Sequence, residues 1–128
     1  MEYAVIIILL ALLQYTYFAF AVGAQRVKLK VAAPSTEGND VWQRYFRVQQ
    51  NTLEQLIVFI PGMLAFSHYV SSLWVVVPGV AFLVGRQLYA HLYVKAPKSR
   101  APGFLLTFVA NMVLVIGSLI GVVMQLVG

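Results

Sequence analysis

Long apolar runs alternate with short polar ones along the chain, and that rhythm predicts its elements. A membrane-spanning helix needs about 20 mainly apolar residues. Residues 3–23 form such a run, interrupted by Gln14 and a few hydroxyls. They exceed a signal-peptide core of about 7–15 residues and have no basic region ahead of them, so they read as a span. Residues 25–42 are polar and carry Pro34, Gly38, Asn39 and Asp40, the composition of a loop. A second helix is predicted over 41–66, polar in its first half and apolar in its second. A turn follows at 68–72, then a third span at 73–93, a short basic loop with Pro97 and Pro102, and a fourth span at 104–127. Backbone in lipid must satisfy its own hydrogen bonds, so these runs are read as helices. Pro61 and Pro78 fall inside spans, where each kinks its helix or marks a boundary. Residues 1–128 therefore read as one all-α domain, an integral membrane four-helix bundle with no room for a soluble domain and no convincing internal repeat.

Composition strengthens this reading. Apolar types make up 61% of the 128 residues and charged types 10%, against roughly 45–50% and 25% in soluble domains. Mean hydropathy is +0.83. An ordinary soluble enzyme, a disordered tail and a nucleic-acid-binding domain are excluded on these grounds. The absence of cysteine removes disulfides, thiolate metal sites and a cysteine nucleophile. His68 and His91 lie too far apart in sequence to suggest a metal site. The charges divide by loop: Arg26, Lys28, Lys30, Arg44 and Arg47 flank the first connection, and Lys95, Lys98 and Arg100 the third. Excess basic residues mark the cytoplasmic side, which predicts cytoplasmic first and third connections and both termini opposite.

The candidate chemistry lies on the second helix. Arg44, Arg47, Asn51 and Glu54 are spaced 3, 4 and 3, and at ~100° per residue they share an arc of about 80°. The stripe descends ~15 Å, from the cytoplasmic interface to Glu54. A carboxylate at that depth costs about 2.5–3.5 kcal/mol on insertion scales and calls for a cationic partner. Two readings follow. One is a structural ion pair of Glu54 with Arg47 or Arg86. The other is a polar pocket for a zwitterionic or anionic ligand, in which arginines grip carboxylates and Glu54 takes an ammonium. On the third helix Arg86, Tyr89 and Tyr93 share a face, although two tyrosines near an interface also fit an aromatic belt. His91 lies off that face. Gly117-x-x-x-Gly121 reads as helix packing, and Asn111 and Gln125 as partners for hydrogen bonds between helices.

Four helices, Arg47-x-x-x-Asn51-x-x-Glu54 opening the second, and Arg86-x-x-Tyr89-x-x-x-Tyr93 followed by Arg100 resemble the MAPEG superfamily, the membrane-associated proteins in eicosanoid and glutathione metabolism. That superfamily includes microsomal glutathione transferases, leukotriene-C synthases and a non-catalytic lipoxygenase-activating protein. The resemblance implies a homotrimer binding glutathione between neighbouring protomers, in a pocket open to the cytoplasm. It implies that Arg47, Asn51, Glu54, Tyr89 and Tyr93 contact glutathione, together with Arg26 and Gln49. It assigns Arg100 to holding the sulfur as thiolate, with Arg44 and Arg86 in support. Gln55 departs from the leukotriene-C synthases, which have tyrosine after the glutamate.

The implied activity is a membrane-bound glutathione transferase acting in detoxification, with glutathione as co-substrate and no metal. Its partner would be a lipophilic electrophile in the bilayer, or a lipid hydroperoxide to be reduced. The membrane would be a bacterial inner membrane or one of the endoplasmic-reticulum type. Two other functions fit a small membrane bundle. A non-catalytic lipid-binding protein of the same fold is one. A small multidrug transporter is the other, although the first span carries no carboxylate beyond Glu2.

Overall fold

The computed structural model describes all 128 residues, and they form four helices and no strand. Helix α1 spans Glu2–Lys28, α2 Asp40–Tyr69, α3 Val76–Lys95 and α4 Ala101–Val127, with a single 3-10 turn at Pro97–Ser99 between the last two. The predicted order therefore holds, and the differences lie at the ends. α1 runs about a turn past residue 23 and places Arg26 and Lys28 in its last turn, where cations suit the negative end of the helix dipole. α2 opens at an Asn39 cap whose side chain accepts a hydrogen bond from the Trp42 amide at 2.9 Å. It continues through Pro61 to Tyr69, so the predicted turn at 68–72 starts later. α3 begins at Val76 rather than 73. The Ser71 hydroxyl holds the Leu73 and Trp74 amides at 3.2 and 3.0 Å, which delays the helix. Pro78 then falls in the first turn, where a missing N–H costs nothing. α4 starts at Ala101, with Pro102 likewise in its first turn.

The main core joins all four helices. Ala4, Ile7 and Ala11 of α1 meet Leu56, Phe59, Met63 and Phe66 of α2, with Phe82 of α3 and Leu114 of α4. Phe59 and Phe82 stack at its centre, with ring centroids 3.8 Å apart. A second cluster ties the ends. Trp42 is fully buried, and its indole N–H donates to the Val22 carbonyl at 3.2 Å, fixing the start of α2 against the end of α1. The Arg44 guanidinium reaches the Val94 carbonyl at 3.1 Å near the end of α3. The first and third connections consequently lie at the same end of the bundle.

Close approach of α4 depends on glycine. A Cβ at Gly103 would sit 2.6 Å from the Tyr89 Cα, and one at Gly85 would sit 3.0 Å from the Thr107 amide nitrogen. Gly117 and Gly121 pack on Phe66 and on the Tyr69 carbonyl within the same chain, which agrees with the packing role expected of them.

The exterior is apolar. Leu13, Phe20, Leu119 and Ile120 are exposed on α1 and α4, and these two helices are long and apolar enough to cross a membrane. The buried polar side chains are Thr52 and Ser67 of α2, Arg86 of α3, and Thr107, Asn111 and Ser118 of α4. Because the Gly103 contact is with backbone that cannot yield, Gly103→Ala should destabilise the fold by about 1–3 kcal/mol. Thermal unfolding of the detergent-solubilised protein measures this, and an unchanged midpoint would count against the contact.

Candidate functional site

The deepest polar side chain of the bundle is Arg86, on α3, which is fully buried. A guanidinium in such a place must be hydrogen-bonded. Its Nε donates to Thr107 Oγ1 of α4 at 3.1 Å, and its Nη1 donates to Asn51 Oδ1 of α2 at 2.7 Å and lies 3.3 Å from Thr52 Oγ1. Its Nη2 is buried with no hydrogen-bond partner within the chain. The guanidinium carbon lies 4.4 Å from the centre of the Tyr89 ring, close enough for a cation–π contact. Tyr89 stacks on Tyr93 with centroids 5.4 Å apart. Arg86, Tyr89 and Tyr93 thus form a continuous column along α3. The spacing of 3 and 4 residues places them on one face, where the two rings stack.

The column rises to an open pocket of about 560 Å³ at the basic end of the bundle, lined by Tyr93, Arg44, Arg47, Gln43, Asp40 and Pro97 among others. Arg47 is exposed there, and Arg44 is partly buried. Asn51 sits one turn deeper, half-buried. Glu54 lies a further turn down the same side of α2, exposed and without any ion pair in the chain. The structural ion pair with Arg47 or Arg86 that the sequence allowed is therefore not made within the chain. Arg86 is held by neutral oxygens instead of a carboxylate.

The remaining candidates point elsewhere. Gln49 is ~200° around α2 from Arg47 and donates to the Tyr15 hydroxyl of α1 at 3.3 Å. Arg26 lies over the Trp42 ring, 4.3 Å from its centre, and donates to the Ser35 carbonyl at 2.7 Å. Arg100 is exposed at the start of α4, donates to the Pro97 carbonyl at 3.1 Å, and lines a separate recess with Lys98 and Phe104. Within one chain, then, Arg44, Arg47, Asn51, Arg86, Tyr89 and Tyr93 gather on the α2–α3 side. Arg26 and Gln49 do not join them, while Arg100 opens onto its own recess yet lies near enough to Tyr89 for its charge to act there.

Sequence reasoning passed over Thr52 and Thr107, the two hydroxyls that hold Arg86. Thr52 is one polar residue among many in the first half of α2 and Thr107 lies in an apolar run of α4, and neither spacing pointed to Arg86. Asn111 was anticipated as an interhelical donor, and it reaches Gln55 Oε1 at 3.0 Å. Gln55 therefore faces α4 rather than the pocket.

Fold and site together define a class: a small all-helical protein with an apolar girdle and a polar, arginine-rich seam between α2 and α3. The chain belongs to the MAPEG family, whose profile matches residues 3–120. That family is membrane-associated. An uncharacterised protein of Synechocystis sp. is 40% identical over 117 residues, covering 91% of this chain and 85% of that one. Microsomal glutathione S-transferase 2 of Homo sapiens is 35% identical over 99 residues, 77% of this chain and 67% of its own. A probable microsomal glutathione S-transferase of Dictyostelium discoideum is 33% identical over 70 residues, 55% of this chain and 47% of its own.

The Thr107 hydroxyl donates to the Gly103 carbonyl at 3.0 Å while accepting from Arg86. Thr107→Val keeps the shape and removes both bonds, leaving a charged donor without its acceptor. It should destabilise by about 1–3 kcal/mol, whereas Thr107→Ser should be milder. Unfolding midpoints of the two variants in one detergent make the comparison.

Proposed function

We propose that the protein is a membrane-bound glutathione transferase that joins the sulfur of glutathione to lipophilic electrophiles dissolved in the bilayer. The observation that carries this reading is the polar seam itself. A tyrosine column seated on a buried guanidinium opens into a pocket edged by Arg44 and Arg47, in a chain similar to named glutathione transferases. Glutathione presents two carboxylates, an ammonium and a thiol. Arg47 suits a carboxylate in charge-assisted, bidentate contact, with Arg44 in support, and Glu54 suits the ammonium. Arg100 would favour the thiolate over the thiol, whose ordinary pKa is ~8.5. Arginine keeps its own proton, so the thiol proton leaves to water. The thiolate then bonds to the electrophilic carbon, and the displaced group departs with its electron pair. The same thiolate would serve as reductant for lipid hydroperoxides, with two glutathiones joined as a disulfide per peroxide bond cleaved. No metal enters this scheme.

The division of the candidates supports a pocket shared between copies, as in the homotrimer that the family resemblance implies. Arg26 and Gln49 face away from the Arg47 pocket in their own chain, so they would serve a pocket shared with a neighbour. Glu54, Ile57 and Leu64, exposed along one side of α2, suit the same contact. The orientation follows from charge: eight of the nine basic residues lie at the pocket end, which is assigned to the cytoplasm, with four spans and both termini opposite.

A second reading has its own observation. An apolar groove of about 340 Å³ opens between α1 and α3, lined by Tyr17, Phe18, Val48, Ala90 and Val94, and would suit a non-catalytic lipid-binding protein. Lipid binding without glutathione binding, measured by calorimetry, would favour it.

Arg100→Ala should lower turnover with a generic electrophile on the order of 100-fold and reduce the thiolate absorbance seen on mixing glutathione with the protein. Wild type lacking glutathione-dependent turnover with every electrophile and hydroperoxide tried would sink the enzyme reading. Because the chain has no cysteine, a single Lys98→Cys tests orientation. A membrane-impermeant maleimide should label it only from the cytoplasmic face.

A further inference from the structure

Asn51 differs from most amide side chains in that its orientation is dictated. Its Oδ1 lies 2.7 Å from Arg86 Nη1. A guanidinium carries donors and no acceptor, so a flipped amide would set N–H against N–H. Arg86 is itself unable to swing away. It is fully buried, its Nε is held by Thr107 Oγ1, and its plane rests on the Tyr89 ring. The direction of bonding is fixed one step further back, because the Thr107 hydroxyl donates its proton to the Gly103 carbonyl and has only lone pairs left for Arg86. The polarity therefore runs in one sense, from the α4 backbone through Thr107 and Arg86 to Asn51. At its end the Asn51 amino group has two N–H donors and no acceptor within the chain, on a half-buried side chain one turn below Arg47.

We propose that Arg86 is a positioning residue that makes Asn51 a donor, so that the site selects a carboxylate of the ligand at this point and rejects an ammonium or amide N–H. The assignment rests on the glutathione reading of the pocket and sharpens it. Of the groups on glutathione, the ammonium is excluded from Asn51 and left to Glu54. Arg86 need not touch the ligand to exert this effect. Its burial makes the device effective, because a donor facing a donor away from water leaves both unsatisfied. Substitution of Asn51 by aspartate inverts the device without emptying the site. An aspartate would pair with Arg86 and offer only acceptors to the ligand.

The test compares the assembled protein in detergent as wild type, Asn51→Asp and Arg86→Lys. Dissociation constants are measured for glutathione and for two analogues, one with the glycyl carboxylate and one with the glutamyl α-carboxylate converted to the primary amide. Wild type should prefer glutathione by about tenfold or more over one of the amides. Asn51→Asp should weaken glutathione binding and collapse or invert that preference, with a folded state at least as stable as wild type. Arg86→Lys, which keeps the charge but loses the fork, should reduce the preference by a smaller factor. A purely structural role for Arg86 would alter stability and leave the acid-to-amide ratio unchanged. An Asn51→Asp protein that binds glutathione and discriminates as wild type does would overturn the proposal while leaving the glutathione reading intact. A wild type that binds neither glutathione nor its amides would overturn both.

Discussion

A guanidinium buried in an apolar bundle is the constraint around which the rest is arranged. Arg86 has no carboxylate beside it, so its stability must come from neutral oxygens on two other helices and from an aromatic face. Each of those partners fixes something else. Thr107 sets the height of α4 against α3, Asn51 and Thr52 set the rotation of α2, and Tyr89 begins the column that ends at the pocket. A desolvated cation costs several kcal/mol unless it is well partnered. The bundle therefore pins three helices to one point, and the candidate residues inherit their positions from it.

Two opposite solvents shape the chain. The outward faces of α1 and α4 are suited to lipid, while Arg86, the one buried charge, lies where α2, α3 and the inner face of α4 meet. A reaction between a water-soluble thiol and an electrophile dissolved in lipid needs both environments within reach of one sulfur. The bundle offers them on neighbouring surfaces: a charged mouth at the basic end, and apolar walls a few residues away.

The order of the helices was legible in the sequence because apolar runs advertise themselves, α1 and α4 most plainly by length and hydropathy. Arg47, Asn51 and Glu54 stood out because polar residues are rare there, and a shared helical face followed from spacing alone. Helix ends were less legible. The start of α3 was displaced by Ser71 binding amides ahead of it, a local bond that no periodicity reveals. Directions were also hidden. Arg44 lies on the same arc as Glu54, yet one caps the end of α3 and the other faces outward, since 80° of arc is enough to separate two neighbours. The pairing of Arg86 with Thr107 and Asn51 rather than with Glu54 depends on distances between helices, which a linear pattern does not encode.

The glycine contacts distribute stiffness unevenly through the molecule. At Gly85 and Gly103 the backbones of α3 and α4 touch with no side chain between them, and neither helix can slide or turn without collision. The pair behaves as one strut. At the pocket end α2 meets that strut through side chains at Asn51 and Arg44, whereas at its other end the Tyr69 carbonyl is packed directly on Gly121 of α4. Admission of a bulky ligand would thus be accommodated at the pocket end of α2, with Tyr89, Tyr93 and Arg100 carried on the stiffer half. The residues proposed to hold the sulfur would keep their mutual spacing while those that grip the carboxylates adjust to it.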